Sequence, residues 1–219
     1  MLMKSRVRKR LSTQERRAKI LSAAVHAFAR NGYDGTKMDS IAARAQITKP
    51  VLYDHFPSKQ ELFLTVLEGI RDGLIAKGKS IVEAGDDPEQ TFRRAVDAFL
   101  QFVEREPDAA RVLLTVPSGD PAAAKLSRKV QAGASAGLGA LLVTVMPERA
   151  PWRVQAATEF LKEGLHAVAI WWLANPGPSR QEIVDVITRI VWAGLQARVR
   201  SSGRTRRAAG RIYEGDREQ

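Results

Sequence analysis

The 219-residue chain contains no cysteine. Without a thiol it cannot form a disulfide framework, a thiolate-bound zinc or iron–sulfur site, or a cysteine nucleophile. Long apolar runs are also missing, because stretches such as 167–174 are far shorter than the roughly 18 to 20 residues that span a bilayer. The basic N-terminus continues into polar sequence, which does not fit a secretory signal. We therefore expect a cytoplasmic protein with no membrane partner.

Acidic side chains are scarce in the first part of the chain. Residues 1–60 hold 13 Lys and Arg against 4 Asp and Glu, residues 61–197 hold 15 against 17, and residues 198–219 hold 7 against 3. A basic segment on a near-neutral body is typical of a chain of which one end binds a polyanion. A general solubilising charge bias explains the composition equally well.

Strand patterns, in which polar and apolar residues alternate, are absent as well. Helical periodicity instead fills almost every segment between the Pro and Gly residues, so the chain is predicted to be all-α. The predicted helices run from Ser12 to about Gly32 and over residues 37–45, 49–56, 59–84, 88–105, 107–115, 121–146, 150–174 and 179–199. Residues 200–219, rich in Arg, Gly and Ser, are predicted to be a disordered basic tail.

Side chains suited to helix capping stand at several of these starts. Ser12 and Glu15 form one predicted capping box, and Ser58 and Glu61 form another. In such a box a hydroxyl and a carboxylate satisfy backbone N–H groups that have no partner within the helix. Thr36 is predicted to begin the second helix in a similar way.

The two short helices over 37–45 and 49–56 are joined by a turn of three or four residues. This arrangement is typical of a helix-turn-helix, in which the second helix enters the major groove of DNA. Thr48 and Lys49 at its start are predicted to contact bases or phosphates, and Pro50 is predicted to contact thymine methyl groups. Pro50 also suits the first helical turn, because the N–H that it lacks would have no partner there.

Further polar side chains near this second helix are candidates for contacts with the DNA backbone. Tyr53 is predicted to donate its hydroxyl to a phosphate, and His55 to contact a phosphate or the negative end of the helix dipole. Lys59 begins the next helix, where free backbone N–H groups favour an anion, so it is predicted to bind a phosphate. In the basic N-terminal arm, Arg8 and Arg10 are predicted to neutralise phosphates or to enter the minor groove.

Three ordered segments carry a resemblance to a known family. They are Gly32-Tyr33-Asp34-Gly35-Thr36, Ile41-Ala42-Ala43-Arg44-Ala45 and Leu52-Tyr53-Asp54-His55-Phe56-Pro57-Ser58-Lys59-Gln60-Glu61-Leu62. Over residues 12–62 the set resembles the DNA-binding domain of the TetR family of bacterial transcriptional regulators. Two positions depart from the family pattern, since Gln46 and Pro50 stand where glycine is usual or frequent. We expect a mildly strained backbone turn at Gln46. Because proline lacks an N–H donor, we expect Pro50 to recognise a smaller range of groups on DNA.

The resemblance implies a homodimer in which two three-helix heads bind a palindromic double-stranded DNA operator. It also implies a C-terminal domain that binds a small molecule and relaxes repression. The expected organisation is a flexible basic arm over 1–11, the helix-turn-helix domain over 12–58, a helical ligand-binding and dimerisation domain over 59–199 and the tail. The pattern and the resemblance together place DNA-binding residues at Thr36, Lys37, Arg44, Thr48, Lys49, Pro50, Tyr53, His55 and Lys59, and at Arg8 and Arg10 of the arm.

Apolar side chains of the body are candidates for a ligand cavity, with ordinary core packing as the alternative. The candidate lining residues are Phe92, Phe99, Phe102, Leu113, Leu138, Phe160, Glu163, Ala167 and Trp171. Few charges and many aliphatic residues favour a hydrophobic effector. Glu163 shares a helical stripe with Glu159 and His166, which would suit a ligand or metal contact but fits a solvated stripe better, so no metal site and no cofactor are predicted.

The helix over 150–174 is apolar almost all round in its second half, which predicts burial on two sides. One side suits the core and the other a dimer partner, together with the helix that carries Ile183 and Ile190. The resulting hypothesis is a homodimeric repressor released from its operator by a small hydrophobic ligand, and the helix that begins at Lys59 is predicted to transmit the change. An activating or ligand-independent regulator is the alternative. An enzyme is not expected, since no catalytic constellation stands out.

Overall fold

The computed structural model describes residues 12–85, 87–145 and 150–194. These residues form nine helices and no strand, which confirms the all-α prediction. The helices are α1 (Thr13–Gly35), α2 (Met38–Ala45), α3 (Lys49–His55), α4 (Lys59–Glu83), α5 (Pro88–Arg105), α6 (Pro107–Leu114), α7 (Pro121–Val145), α8 (Pro151–Ala174) and α9 (180–194). The predicted arm with Arg8 and Arg10, and the predicted tail, lie outside the described residues. None of the helices in the described part is long and apolar enough to cross a membrane.

The predicted start of α1 is confirmed, whereas the predicted end at Gly32 is a kink inside a helix that continues to Gly35. The Ser12 hydroxyl accepts a hydrogen bond from the Glu15 N–H at 3.1 Å, and the Glu15 carboxylate accepts one from the Ser12 N–H at 2.7 Å. At Gly32 the backbone turns to φ 67°, a conformation that glycine adopts without a steric penalty. Ser58 caps α4 through the Glu61 N–H at 3.1 Å.

Helices α1–α3, which we call the head, share a hydrophobic core with the start of α4 and with two helices of the body, α4–α9. The fully buried members of this core include Ile20 and Ala24 of α1, Ile41 of α2, Leu52 of α3 and Leu62 and Leu67 of α4. Val112 and Leu113 of α6 and Val130 of α7 belong to the same cluster. The head is therefore packed against the body and is not simply suspended from α4.

A second core lies within the body, between α5, α6, α7, α8 and α9. Phe92, Val96 and Leu100 of α5 are fully buried there, together with Leu142 and Val184. Helix α9 is held on α5 by polar contacts as well. Arg180 donates to the carboxylates of Asp97 at 2.9 Å and Glu104 at 2.7 Å. The loop before α9 is held on α8, where the indole N–H of Trp172 donates to the Pro178 carbonyl at 2.9 Å.

Candidate nucleic-acid interface

The turn between α2 and α3 sets the angle at which α3 leaves the head. Gln46 adopts the left-handed conformation with φ 57° and ψ 43°, which confirms the strained turn predicted at this position. Its N–H donates to the Ala43 carbonyl at 3.1 Å, and the Ile47 N–H donates to the Ala42 carbonyl at 3.1 Å. A residue other than glycine in this conformation costs roughly 1 kcal/mol or more, which the surrounding packing offsets.

One face of α3 is buried in the head and the opposite face is open. Leu52 and Phe56 are completely buried and fix the short helix in place. On the other side Thr48, Lys49 and Pro50 are exposed, and Tyr53 is 39% exposed. The Thr48 side chain makes no capping hydrogen bond to the backbone of α3. The structure thus brings four predicted DNA-binding residues onto one exposed surface.

Lys49 is paired within the head. Its ammonium group lies 2.9 Å from the Asp39 carboxylate, and the hydrogen bond and charge of Asp39 raise the pKa of Lys49 above its ordinary value. Both side chains are more than half exposed, and such surface pairs contribute only about 0 to 1 kcal/mol. The pair can therefore open in favour of a phosphate at little cost. Asp39 was not predicted as a partner of Lys49, because ten residues separate the two in the sequence.

Two other basic residues, Lys37 and Arg44, lie exposed at opposite ends of α2 and make no ion pair with any described side chain. At the C-terminal end of α3, His55 is half-buried and its carbonyl accepts a hydrogen bond from Arg17 at 3.5 Å. The Arg17 guanidinium also lies 4.3 Å from the centre of the Phe56 ring. Arg17 is a residue that sequence reasoning missed, although a cation suits a helix C-terminus.

Thr36 was expected to begin α2 and to contact DNA, and the structure corrects both expectations. Lys37 is the N-cap residue of α2, and Thr36 is only 2% exposed. The Thr36 hydroxyl points back to α1, where the carbonyls of Gly32 at 2.6 Å and Ala27 at 3.1 Å accept its single hydrogen. Because its side chain is buried and its donor is used, Thr36 holds the turn between α1 and α2 and does not face a ligand.

Lys59 was expected to contact a phosphate, but in the structure its side chain contacts other parts of the protein. Its ammonium group donates to the carbonyls of Tyr33 at 2.9 Å, Thr36 at 3.1 Å and Asp34 at 3.5 Å. It also lies 4.4 Å from the centre of the Tyr33 ring. An ammonium group has three hydrogens, so these carbonyls leave none for a phosphate. Lys59 instead fastens the start of α4 to the turn between α1 and α2.

The predicted ligand-binding residues do not converge on one cavity. Phe92 and Leu113 are packed in two different cores, and Phe99, Phe102 and Leu138 are partly buried around the second core. The candidates on α8 form an exposed stripe: Phe160 is 78% and Trp171 50% exposed, and Glu163 and Ala167 are also exposed. They belong to the surface because their face of α8 points away from the core.

The acidic stripe of α8 does not form a metal site. Lys162 pairs with both Glu159 and Glu163, and no cluster of metal-ligating side chains occurs among the described residues. His166, the third member, stacks on Phe99 with ring centres 6.3 Å apart. Burial lowers the pKa of His166, so its neutral form is favoured.

The short, exposed α3 after the tight left-handed turn at Gln46 has the geometry of a helix-turn-helix, a motif that binds DNA. Residues 20–66 match the family model described as bacterial regulatory proteins of the tetR family, and residues 87–208 match that of the tetracyclin repressor-like C-terminal domain. The chain belongs to the TetR family. It is a DNA-binding transcriptional regulator that acts as a homodimer, and not an enzyme.

Individual relatives agree with this assignment. The transcriptional activator FasR of Mycolicibacterium smegmatis is 31% identical over 196 residues, which are 85% of each chain. The transcriptional repressor NicS of Pseudomonas putida is 30% identical over 126 residues, or 57% of this chain and 59% of NicS. A TetR-like regulator from Rhodococcus sp. RHA1 has a TM-score of 0.73 at 26% identity, covering 85% of this chain and 99% of its own. FadR of Bacillus subtilis, solved with stearoyl-CoA, has a TM-score of 0.71 at 14% identity, covering 79% and 96%.

Proposed function

We propose that each protomer places α3 in a major groove of a palindromic operator. The observation that carries this proposal is the single exposed face formed by Thr48, Lys49, Pro50 and Tyr53 on a helix fixed by buried Leu52. Thr48 and Lys49 stand at the N-terminal end of α3, the part of such helices that contacts base edges. Tyr53 lies one turn further on, where its hydroxyl reaches the phosphates. Lys37 and Arg44 add phosphate contacts from α2.

The proposed dimer interface is the exposed apolar face of α8 and α9. It includes Phe160 and Trp171 of α8 and Val186 and Ile190 of α9, which are 50 to 78% exposed in the single chain. Large exposed apolar side chains grouped on neighbouring helices mark a surface that another chain covers. A two-fold dimer through this face would bring two α8–α9 pairs together. A cytoplasmic location is part of this proposal, and it is supported by the action of the family on DNA.

The test of this proposal starts from DNA sequences selected by the wild-type protein from a random pool. Substituting Thr48→Ala together with Tyr53→Phe should weaken binding to the selected operator about 1000-fold, since the dimer loses two contacts in each protomer and each contact is worth roughly 1 kcal/mol or more. Thr115→Ala, at an exposed position of the body, is the matched control and should leave binding unchanged. Retention of full operator affinity by the double variant would overturn the assignment of α3.

We further propose that a small hydrophobic effector changes the affinity for the operator. An open groove of about 400 Å³ lies between α4 and α5. Its walls include Ile70, Leu74 and Phe102, and Gly73 leaves space on the α4 side. Phe102 is the one lining residue that the sequence predicted. Because α4 connects body and head, a ligand in this groove is well placed to move α4.

A pair of glycine substitutions on α4 tests the groove. Gly73→Leu would fill it, whereas Gly78→Leu adds the same side chain to the same helix outside the groove lining. Fatty acids, sterols and aromatic compounds would be screened for release of the wild-type protein from its operator. The compound that acts on the wild type should still act on Gly78→Leu and fail on Gly73→Leu. Equal action on both variants would place the effector elsewhere.

Repression relieved by the effector is the direction that we propose. Activation is a second candidate, because FasR, which matches this chain over 85% of its length, is a transcriptional activator by name. A reporter gene behind the selected operator separates the two: deletion of the regulator raises expression under repression and lowers it under activation.

A further inference from the structure

The turn between α1 and α2 touches a loop of the body. The Asp34 carboxylate accepts a hydrogen bond from the Gly119 N–H at 2.9 Å, although the two residues are 85 positions apart. The contact is tight, since a Cβ added to Gly119 would lie 2.8 Å from the Asp34 carboxyl carbon. Only glycine fits this position without a shift of the backbone or of Asp34.

A second contact lies beside the first. Tyr33 is buried, with its ring 4.8 Å from that of Phe63 in α4 and 6.0 Å from that of Phe28 in α1. Burial raises the pKa of Tyr33 to about 12, and the nearby negative charge of Asp120 adds to the rise. The same carboxylate caps α7, where it accepts the N–H groups of Ala122 at 2.9 Å and Ala123 at 3.1 Å.

Lys59 completes this cluster from the first turn of α4 through its bonds to the Tyr33 and Thr36 carbonyls. We call Tyr33, Asp34, Lys59, Gly119 and Asp120 the latch. The latch joins the head, the start of α4 and the start of α7 at one place.

The latch adds a polar contact to the hydrophobic core that the head shares with α4, α6 and α7. Hydrophobic contact is non-directional, whereas a hydrogen bond at the edge of that contact favours one orientation of the head on the body. Helix α7 continues into the body and runs close to α4 and α8: a Cβ added to Gly133 would lie 3.3 Å from the Arg71 side chain of α4, and one added to Gly139 would lie 3.4 Å from Thr158 of α8. Helix α8 in turn presents the proposed dimer face.

We propose that the Asp34–Gly119 hydrogen bond is a positioning contact that fixes the orientation of each head relative to the dimer. It thereby selects the spacing between the two half-sites of the operator. This proposal rests on the proposed docking of α3, since successive major grooves on one side of DNA recur every 34 to 36 Å. A head that is free to rotate would accept several spacings and bind each of them less tightly.

The absence of native cysteine allows a direct test. Substituting Asp34→Cys and Gly119→Cys together places two thiols at positions whose side-chain carbons lie within the range of a disulfide. The reduced form lacks the Asp34 hydrogen bond, and oxidation closes the connection covalently. The same preparation thus compares an open and a closed latch, and Asp34→Asn, which keeps an acceptor oxygen, is the conservative control.

Binding is measured on operators whose half-sites are separated by spacers of increasing length, and on DNA with a single half-site. The wild type, Asp34→Asn and the oxidised double variant should prefer one spacing. The reduced double variant and Asp34→Ala should lose about tenfold in affinity at that spacing and show a flattened profile, with unchanged affinity for the single half-site. An unchanged profile, or equal losses on full operator and single half-site, would overturn the proposal. A wrong assignment of α3 gives a different result, because the variant with Thr48→Ala and Tyr53→Phe would then bind the single half-site as tightly as the wild type does.

Discussion

The ammonium nitrogen of Lys59 lies 2.9 Å from the carbonyl oxygen of Tyr33 and 4.4 Å from the centre of its ring. A positive charge in the DNA-binding head is thereby used to join α4 to the turn after α1. A basic residue of the head therefore need not contact DNA, and the role of each one is assigned from its contacts in the structure.

Lys59 and Lys37 are predicted to have different roles, the first in the stability of the fold and the second in DNA binding. Lys59→Met keeps most of the side chain but removes three donors, so it should lower the free energy of unfolding by about 1.5 to 3 kcal/mol, measured by urea denaturation. The slope of log affinity against log salt should stay unchanged for a folded Lys59→Met protein. Lys37→Met should instead leave stability unchanged and reduce that slope by about 1.8 on the palindrome, about 0.9 for each of the two protomers. A reduced slope in Lys59→Met would show that Lys59 binds a phosphate after all.

The second prediction concerns Asp39, the partner of Lys49. Asp39→Asn removes a negative charge from the proposed interface and frees the Lys49 ammonium group, so binding to any DNA should tighten several-fold at low salt. Stability should change by less than about 1 kcal/mol, because both partners are exposed. Fluorescence anisotropy with operator and scrambled DNA measures the effect. Weaker binding by Asp39→Asn would mean that the ion pair itself positions Lys49.

The third prediction concerns pH and His166. Burial lowers the pKa of His166 in the folded protein, so the unfolded chain takes up a proton first as the pH falls. The contribution of His166 to stability is therefore fully present above its ordinary pKa of about 6.5 and is lost as the pH falls from there through the folded value. The loss of stability between pH 7.5 and pH 5, followed by urea denaturation, should be smaller in His166→Gln. An identical loss in both proteins would contradict this account.

The fourth prediction concerns the α8–α9 face. Phe160→Glu and Ile190→Glu should each shift the protein from dimer to monomer in sedimentation velocity, since a carboxylate in an apolar interface has no partner. Both variants should remain folded, because these side chains are 78% and 68% exposed in the single chain. Val82→Glu, on α4 at 46% exposure, is the control and should remain dimeric. Dimeric Phe160→Glu and Ile190→Glu proteins would place the interface elsewhere.

Local features of the fold follow from the sequence because they depend on neighbouring residues. The capping box of Ser12 and Glu15, the turn at Gln46 and the all-α composition are of this kind. The role of Thr36 could not be predicted in this way. A threonine before a helix gives the same sequence pattern whether its hydroxyl caps that helix or bonds to the previous helix. The contact of Asp34 with Gly119 has no local signal, because folding alone brings these residues together.

The body shows a second limit of sequence reasoning. Helical periodicity correctly indicated that α8 is apolar on both sides, but it does not say which side a partner covers. Phe160 and Trp171 were therefore counted among cavity residues although they are exposed. The groove beside Gly73 escaped notice because a cavity is defined by the spacing between helices.

The measurement that tests the central claim most directly compares three DNA duplexes at about 0.15 M salt: the selected palindrome, the same DNA with one half-site scrambled, and fully scrambled DNA. The dimer should bind the palindrome about a thousandfold or more tightly than it binds scrambled DNA, and its affinity for the half-scrambled duplex should lie between these two values. Equal affinity for all three duplexes, or for the palindrome and the half-scrambled duplex, would contradict the account.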